Sequence, residues 1–396
     1  MASVVLKAGH VQPVWAGHPW VFAQAVERIE GGAQGGDEVE VKDARGNFLG
    51  RGLYSPGSAI PVRILSRGRD QHIDAKLLKG RLEAAVRRRR QLGLPNGETN
   101  AVRLVHAEGD ELPGLVVDQL GNVLSVQFGT LGMKRREAIL LDALEEILHP
   151  RAIVDRTSER AAKAEGFNAG RGVVRGDEAL SHFEFSERGL NFQIPLELGQ
   201  KTGFYVDQRD LRARVEQLSA GRRVLDTYAF VGTFALGAAR AGAKEVEAVD
   251  ASSLALTVAA ETAERNGLGG KIRFECEDSV QALERAGRQG GFDLVICDPP
   301  KLAPTRAARA RALGLMRKLS GQAARATTPG GLLVICSCSA AIGLPELTRA
   351  LSLGATDMGL RAIVLERFFQ GADHPVPAAF PEGLYLTSLI AEIGKG

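Results

Sequence analysis

Through about residue 68 the chain switches between apolar and polar residues every one or two positions, in short runs broken by glycine and proline: VVLKAG, HPWVFAQAVERI, DEVEVKDARGNFLGRGLYS and AIPVRILS. The alternation Glu38-Val39-Glu40-Val41 and the turn-forming run Asp43-Ala44-Arg45-Gly46-Asn47 predict short strands of a small β-barrel or pseudobarrel. From about Asp74 to Gln91 the period lengthens, with Leu77, Leu78, Leu82, Ala85 and Val86 on one helical face. The stretch AVRLVHAEGDELPGLVVDQLGNVLSVQFG predicts a strand and then a hairpin turning at Leu120-Gly121-Asn122. A helix over Lys134 to Leu148 and strands in AIVDRT and SHFEFSERGLNFQIPLE complete a compact α+β unit.

Beyond residue 196 the pattern becomes regular β/α alternation. Strands are expected at Arg223–Tyr228, Glu245–Asp250, Lys271–Glu277, Phe292–Asp298, Gly331–Ser337, Arg361–Phe368 and Leu384–Glu392. The runs VLD, VEAVD, DLVICD and LLVICS are largely apolar, which suits strands covered on both faces of a parallel sheet. A long proline-containing loop, with no evident helix, joins the last two strands and predicts a hairpin at one sheet edge. Parallel crossovers closed by a hairpin form the layout of a class I methyltransferase. The expected fold is therefore α/β: a small β-barrel over 1–70, an α+β domain over 71–195 and a Rossmann-like domain over 196–396.

A length of 396 residues exceeds what one core serves, in keeping with two or three domains. No apolar run reaches the roughly 18 residues of a membrane span. MASVVLKAGHVQPVW lacks the apolar core of a signal peptide, so a cytoplasmic protein without a membrane partner is expected. The cysteines at 276, 297, 336 and 338 fit neither a zinc site nor a disulfide framework and read as reduced thiols; no metal is expected. A net charge of +3 does not itself argue for nucleic acid. Arg81, Arg87, Arg88, Arg89 and Arg90, with Lys76 and Lys79 before them, could line a basic helix face that neutralises phosphates, or an ordinary solvated one. Trp15, Trp20 and Phe22 are expected in the barrel core rather than stacked on RNA.

Ligands of open α/β sheets lie outside the carboxyl ends of the strands. There the sequence sets Asp226, Asp250, Asp278 and Asp298 at four successive strand ends, and Cys338 at the fifth. One such aspartate is often a helix cap; four in order suit a ligand site better. Asp250 is placed for two ribose hydroxyls and Asp278 for an adenine amino group. Asp226 opens a loop, with Tyr228, Phe230 and Gly232, that bends around the methionine part of S-adenosylmethionine. That loop has too few glycines to cradle a pyrophosphate, which weighs against a dinucleotide. Asp298-Pro299-Pro300-Lys301 is a rigid corner able to face a flat base. Opposite it, a thiolate at Cys338 can add to carbon 6 of a pyrimidine and make carbon 5 nucleophilic. Cys336, Cys297 and Cys276 are expected to be buried apolar residues.

At HPWVF, GNFLGRGLYSPGS, EGDELPGLVVDQLGN, KTGFYVDQRD, CDPPKL, CSCS and ADHPV…FPEGLYL the chain closely resembles the RlmI-type bacterial 23S rRNA cytosine-C5 methyltransferases, essentially end to end. The resemblance implies that the first domain is a PUA RNA-binding domain and the central one is of a kind found in RNA-modifying enzymes. It implies Cys338 as nucleophile, Asp298 in the substrate corner, and the segment from Lys201 to Arg209 folded over the cofactor, with Phe204, Asp207 and Gln208 as contacts. The implied partner is 23S ribosomal RNA or an assembling large subunit; a homodimer stays open. Where a second group of cytosine-C5 enzymes has another cysteine, this chain has Lys301. The base for the carbon-5 proton is thus unassigned, with His374 a weak candidate beside the substrate.

Three rivals remain. A uridine-C5 enzyme shares the thiol chemistry. An exocyclic-amine enzyme would want an aromatic residue at position 301, where Lys301 stands, and has no need of Cys338. An RNA-binding ribosome-assembly factor would tolerate loss of Cys338.

Overall fold

The computed structural model describes residues 1–198, 203–302, 309–339 and 341–396. Its contacts form two units, Met1–Val206 with Ala372–Gly383, and Asp207–Gly371 with Leu384–Gly396.

The first unit begins with β1 (Ser3–Leu6), α1 (Gln12–Trp15), β2 (Trp20–Val21), β3 (Val26–Glu30), β4 (Glu38–Lys42), β5 (Phe48–Tyr54) and β6 (Val62–Ser66). These strands form one sheet in the order β2-β6-β5-β4-β1-β3, over a core that includes Val4, Leu6, Val21, Val39, Val41 and Val62. Asp43 closes the β4–β5 turn, its Oδ1 accepting from the amides of Arg45 and Asn47 at 2.8 Å. Gly52 lets β5 meet β6 closely, since a Cβ there would lie 2.4 Å from the Arg63 carbonyl oxygen. Trp20 and Phe22 are half-buried, and the Trp20 ring packs at 4.6 Å from Phe380. Trp15 departs from expectation: α1 is one short turn, and the indole at its end is 77% exposed rather than in the core.

Next come α2 (Ala75–Gln91), β7 (Ala101–His106), β8 (Leu115–Leu120), β9 (Val123–Phe128), α3 (Leu131–Lys134), α4 (Glu137–Leu148), β10 (Ala152–Arg156), α5 (Glu159–Glu165) and β11 (Arg171–Gly176). The strands lie in the order β11-β10-β9-β8-β7, and β12 (His182–Glu187) pairs separately with β13 (Leu190–Pro195). Asp74 caps α2, accepting from the Leu77 amide at 2.8 Å. The apolar face of α2 packs with Leu140, Leu141 and Leu144 of α4 in one core.

Only part of the basic run on α2 reaches the surface, at Lys76, Arg87 and Arg90. Arg89 is fully buried and grips Asp110 with both terminal nitrogens, at 2.5 and 2.7 Å. Arg88 also donates to Asp110, and Arg81 to the carbonyls of Leu65 and Glu111. Only Arg87 and Arg90 of the five arginines are exposed. A buried guanidinium is tolerated because its donors are satisfied, and it is then spent on structure.

The second unit holds α6 (Arg209–Leu218), β14 (Arg223–Thr227), α7 (Thr233–Arg240), β15 (Glu245–Asp250), α8 (Ser253–Arg265), β16 (Arg273–Cys276), α9 (Ser279–Arg288), β17 (Phe292–Cys297), α10 (Arg309–Ala326), β18 (Thr327–Ser337), α11 (Leu344–Asp357), β19 (Leu360–Phe369) and β20 (Thr387–Lys395). Its seven strands run β16-β15-β14-β17-β18-β20-β19. The first five are mutually parallel, while β20 is antiparallel to both neighbours and completes the expected terminal hairpin with β19. Strand order reverses at β14 and β17, so the crevice for ligands opens beyond their carboxyl ends. The apolar runs lie where predicted: Leu225, Val249, Val295, Leu333 and Ile335 are fully buried in one core. No helix among the described residues is long and apolar enough to cross a membrane.

Candidate active site

Asp226 is the penultimate residue of β14 and 1% exposed. Its Oδ2 accepts from the Ala235 amide at 3.1 Å, and its buried Oδ1 has no partner. Burial pushes this carboxyl up to about 8, against the one backbone hydrogen bond, and the neighbouring charges of Asp298 and Asp250 push the same way.

The next residues form a tight loop. Tyr228, Phe230 and Gly232 have φ of 61°, 51° and 72°, in the left-handed region. For Tyr228 and Phe230 this backbone costs about 1 kcal/mol or more each. It is held by amide donations from Tyr228 to Ser279 Oγ (3.1 Å), Ala229 to the Val249 carbonyl (3.0 Å) and Phe230 to Asp250 Oδ2 (2.8 Å). These amides are engaged within the protein, not bared for a phosphate. Burial also raises the Tyr228 phenol, which stays protonated.

Asp250 ends β15; its Oδ1 accepts from the Ser252 amide at 2.8 Å, so each oxygen holds one backbone donor. Carboxylate oxygens have further lone pairs to offer a diol. Asp278 is exposed and caps α9, its Oδ1 accepting from the amides of Val280 (3.0 Å) and Gln281 (3.1 Å). The capping reading of that aspartate therefore holds, and a ligand contact would be additional to it.

Asp298 follows β17 and is half-buried, with Pro299 buried and Pro300 and Lys301 exposed beside it. Gln208 donates from Nε2 to Asp298 Oδ2 at 2.8 Å. The sequence gives no hint of this pairing, since residues 90 positions apart carry no local signal for it. Cys297 and Cys336 are both fully buried. Burial raises each thiol, and the Asp298 charge adds to it, so both remain protonated. Cys338, one residue past β18, is partly open to solvent, and it too acts on Cys336. The ends of β14, β17 and β18 thus gather Asp226, Cys297, Asp298 and the Cys336–Cys338 pair. Cys276 departs from expectation: it ends β16 at the sheet edge and is exposed, its Sγ 3.7 Å from the Ala251 carbonyl oxygen.

The segment expected over the cofactor is divided. Lys201 and Thr202 lie outside the described residues. Phe204 belongs to the first unit, its ring 4.8 Å from Phe185 and 5.3 Å from Phe192. Asp207 and Gln208 belong to the second. His374 belongs to the first, 2% exposed, with Nδ1 2.9 Å from Asp373 Oδ1 and its ring 4.9 Å from His106. The second unit's grouped residues therefore include neither Phe204 nor His374.

Known proteins match this arrangement. Residues 4–67 fit the family model of a PUA-like domain, and residues 169–361 that of an S-adenosylmethionine-dependent methyltransferase. The chain is 36% identical to ribosomal RNA large subunit methyltransferase I of Erwinia tasmaniensis, over 98% of this chain and 99% of that protein. For the protein of that name from Serratia proteamaculans the identity is 35%, covering 98% of each. Among solved structures, SMU.776, described as a methyltransferase and crystallised with SAH, has the same fold, with a TM-score of 0.86 at 17% identity over 99% of this chain and 100% of that one.

Proposed function

The chain belongs to the family of ribosomal RNA large subunit methyltransferase I, S-adenosylmethionine-dependent enzymes acting on ribosomal RNA, and from that premise we propose that it methylates carbon 5 of a cytosine in 23S rRNA through a covalent bond to Cys338. One observation carries the reading: of the thiols on β17 and at the end of β18, Cys338 alone is partly open, at the strand end, while Cys297 and Cys336 are sealed and protonated. The substrate is taken in the cytoplasm, as free RNA or within an assembling subunit. Trp15, 77% exposed on the PUA-like domain, suits stacking on an unpaired base.

The residues present fit the cofactor. The orphaned, buried Oδ1 of Asp226 lacks a donor, which the ammonium of a bound amino acid can be. Asp250 serves the ribose diol, Asp278 the adenine amino group, and the loop through Tyr228, Phe230 and Gly232 encloses the remainder. When bound, S-adenosylmethionine supplies an electrophilic methyl group.

The protein's part is to make carbon 5 a nucleophile. Cys338 Sγ, as thiolate, bonds to carbon 6, and the ring's electron pair moves towards carbon 5. Asp298 meets the N3/N4 edge; in its acid form it accepts from the amino group with one oxygen and gives its proton to N3 from the other as charge builds there, taking that proton back when the ring is restored. Pro299 and Pro300 hold that corner rigid, and Lys301 lies at its exposed rim. Once carbon 5 carries the methyl group, its proton passes to a base. The freed electron pair restores the ring double bond and expels Sγ as thiolate.

Nucleoside analysis of large-subunit rRNA tests the reading. Cells lacking the protein should lose one 5-methylcytosine, and the purified protein should restore it. Restoration as 5-methyluridine, or no change, would sink it.

The raised carboxyl of Asp226 gives a second expected outcome. It is neutral below about 8 in the free protein. A cation bound beside it favours the charged form, so binding releases a proton. Affinity for S-adenosylhomocysteine should climb with pH up to about 8 and level off above, as read by calorimetry from pH 6 to 9. Asp226→Asn should flatten the profile; a flat wild-type profile would refute the assignment.

A further inference from the structure

Gln208 stands where the sequence suggested a cofactor contact, yet its hydrogen bond leads elsewhere. We infer that Gln208 is a positioning residue that sets the Asp298 carboxylate against the target base. The inference rests on the cytosine reading above.

Gln208 occupies the position just before α6, where a side chain often caps its own helix. Here it makes no such bond. Instead it is nearly buried, at 8% exposure, and gives its Nε2 hydrogen to Asp298 Oδ2 at 2.8 Å.

The turn that carries it is itself held from two sides. The Gly371 amide donates to the Asp207 carbonyl at 2.8 Å, and the Tyr385 hydroxyl donates to Asp207 Oδ2 at 2.6 Å. Gln370 Oε1 in turn accepts from the amides of Tyr385 (3.3 Å) and Leu386 (3.4 Å), so the two clamps are tied to each other. Gln208 is thus delivered from a rigid support.

Asp298 is then restrained at both ends. Pro299 and Pro300 limit its backbone, and Gln208 limits rotation of its carboxyl group. An amide neither gains nor loses a proton at neutral pH, so its N–H always finds an acceptor at Oδ2. The orientation in which the carboxylate meets the base is therefore preset. The buried groups beside it supply no positive charge: the thiols of Cys297 and Cys336 are held protonated by burial, and Asp226 is neutral only until a cation binds beside it. Preset geometry of this kind acts on the reacting state more than on ground-state binding.

Gln208→Leu removes the donor at similar size, and Gln208→Glu keeps the shape but sets a carboxylate against a carboxylate. In the full-length protein with a large-subunit rRNA transcript, the single-turnover methylation rate should fall about 10–100-fold in Gln208→Leu. Gln208→Glu should lose at least as much. Affinity for S-adenosylhomocysteine should stay within about threefold in both, which also certifies a folded site. Cofactor affinity falling in step with the rate would overturn the inference and make Gln208 a cofactor ligand. So would rates within about twofold of wild type in both variants. If wild type makes 5-methylcytosine and the variants keep pace, this inference alone fails; if wild type makes none, the cytosine reading fails and takes the inference with it.

Discussion

Replacing Cys338 by alanine should lower methylation by about 10⁴-fold or more while leaving cofactor affinity unchanged. The size follows from the ring chemistry. Carbon 5 of cytosine attacks an electrophile poorly until a nucleophile has added at carbon 6, so without the thiol no partial pathway of comparable rate remains. Cys338→Ser should fall nearly as far, because a serine hydroxyl at neutral pH offers almost no anion. A transcript carrying 5-fluorocytidine gives the independent readout. Fluorine cannot leave carbon 5 as a proton does, so the enzyme–RNA bond persists and survives denaturing electrophoresis. Wild type should form that species and both variants should not. Cys336→Ala and Cys297→Ala are the controls: those thiols are fully buried and held protonated, so each loss should be felt as packing and the adduct should still form. An adduct of normal yield in Cys338→Ala would transfer the nucleophile elsewhere and end the mechanism.

The sheet was legible because its signal is local. Apolar runs such as DLVICD end where a strand leaves the core, and the residue at or just past each end is polar. Asp250 and Asp298 could be placed in the crevice on that ground alone. The distinction between Cys336 and Cys338 was also local, since two residues along a strand share a face and differ only in depth.

What stayed hidden depended on partners distant in sequence. Arg88 and Arg89 read as part of a basic surface until Asp110 is seen to receive them. Cys276 has the composition of a core residue, but its strand lies at the sheet edge, and edge position is a property of topology. Trp15 stays exposed because α1 is a single turn that does not carry it into the core. Gln208 is the sharpest case. A glutamine before a helix suggests a cap or a loop contact, and only the closed fold sets it against Asp298.

That pairing makes Asp298→Asn more informative than a simple loss of charge. The substitution is nearly isosteric, so the site should keep its shape and its cofactor affinity. Gln208 still donates towards the Oδ2 position, and it will select the amide oxygen of the new side chain. The amide NH₂ then occupies the other branch, facing the base. For cytosine this sets a donor against the exocyclic amino group, itself a donor, and the acceptor that stabilised the reacting ring is gone. The rate on cytosine should fall about 10²–10⁴-fold, in the range for removal of a positioned acid–base group. For uracil, whose oxygen at position 4 accepts, the same NH₂ is a matched partner. The variant should therefore discriminate less between transcripts with cytosine and with uracil at the target, even as its absolute activity collapses. Single-turnover rates on the two transcripts measure both effects. A rate on cytosine within about tenfold of wild type would mean that the carboxylate does not touch the base. An unchanged preference would mean that position 4 is read by some other group.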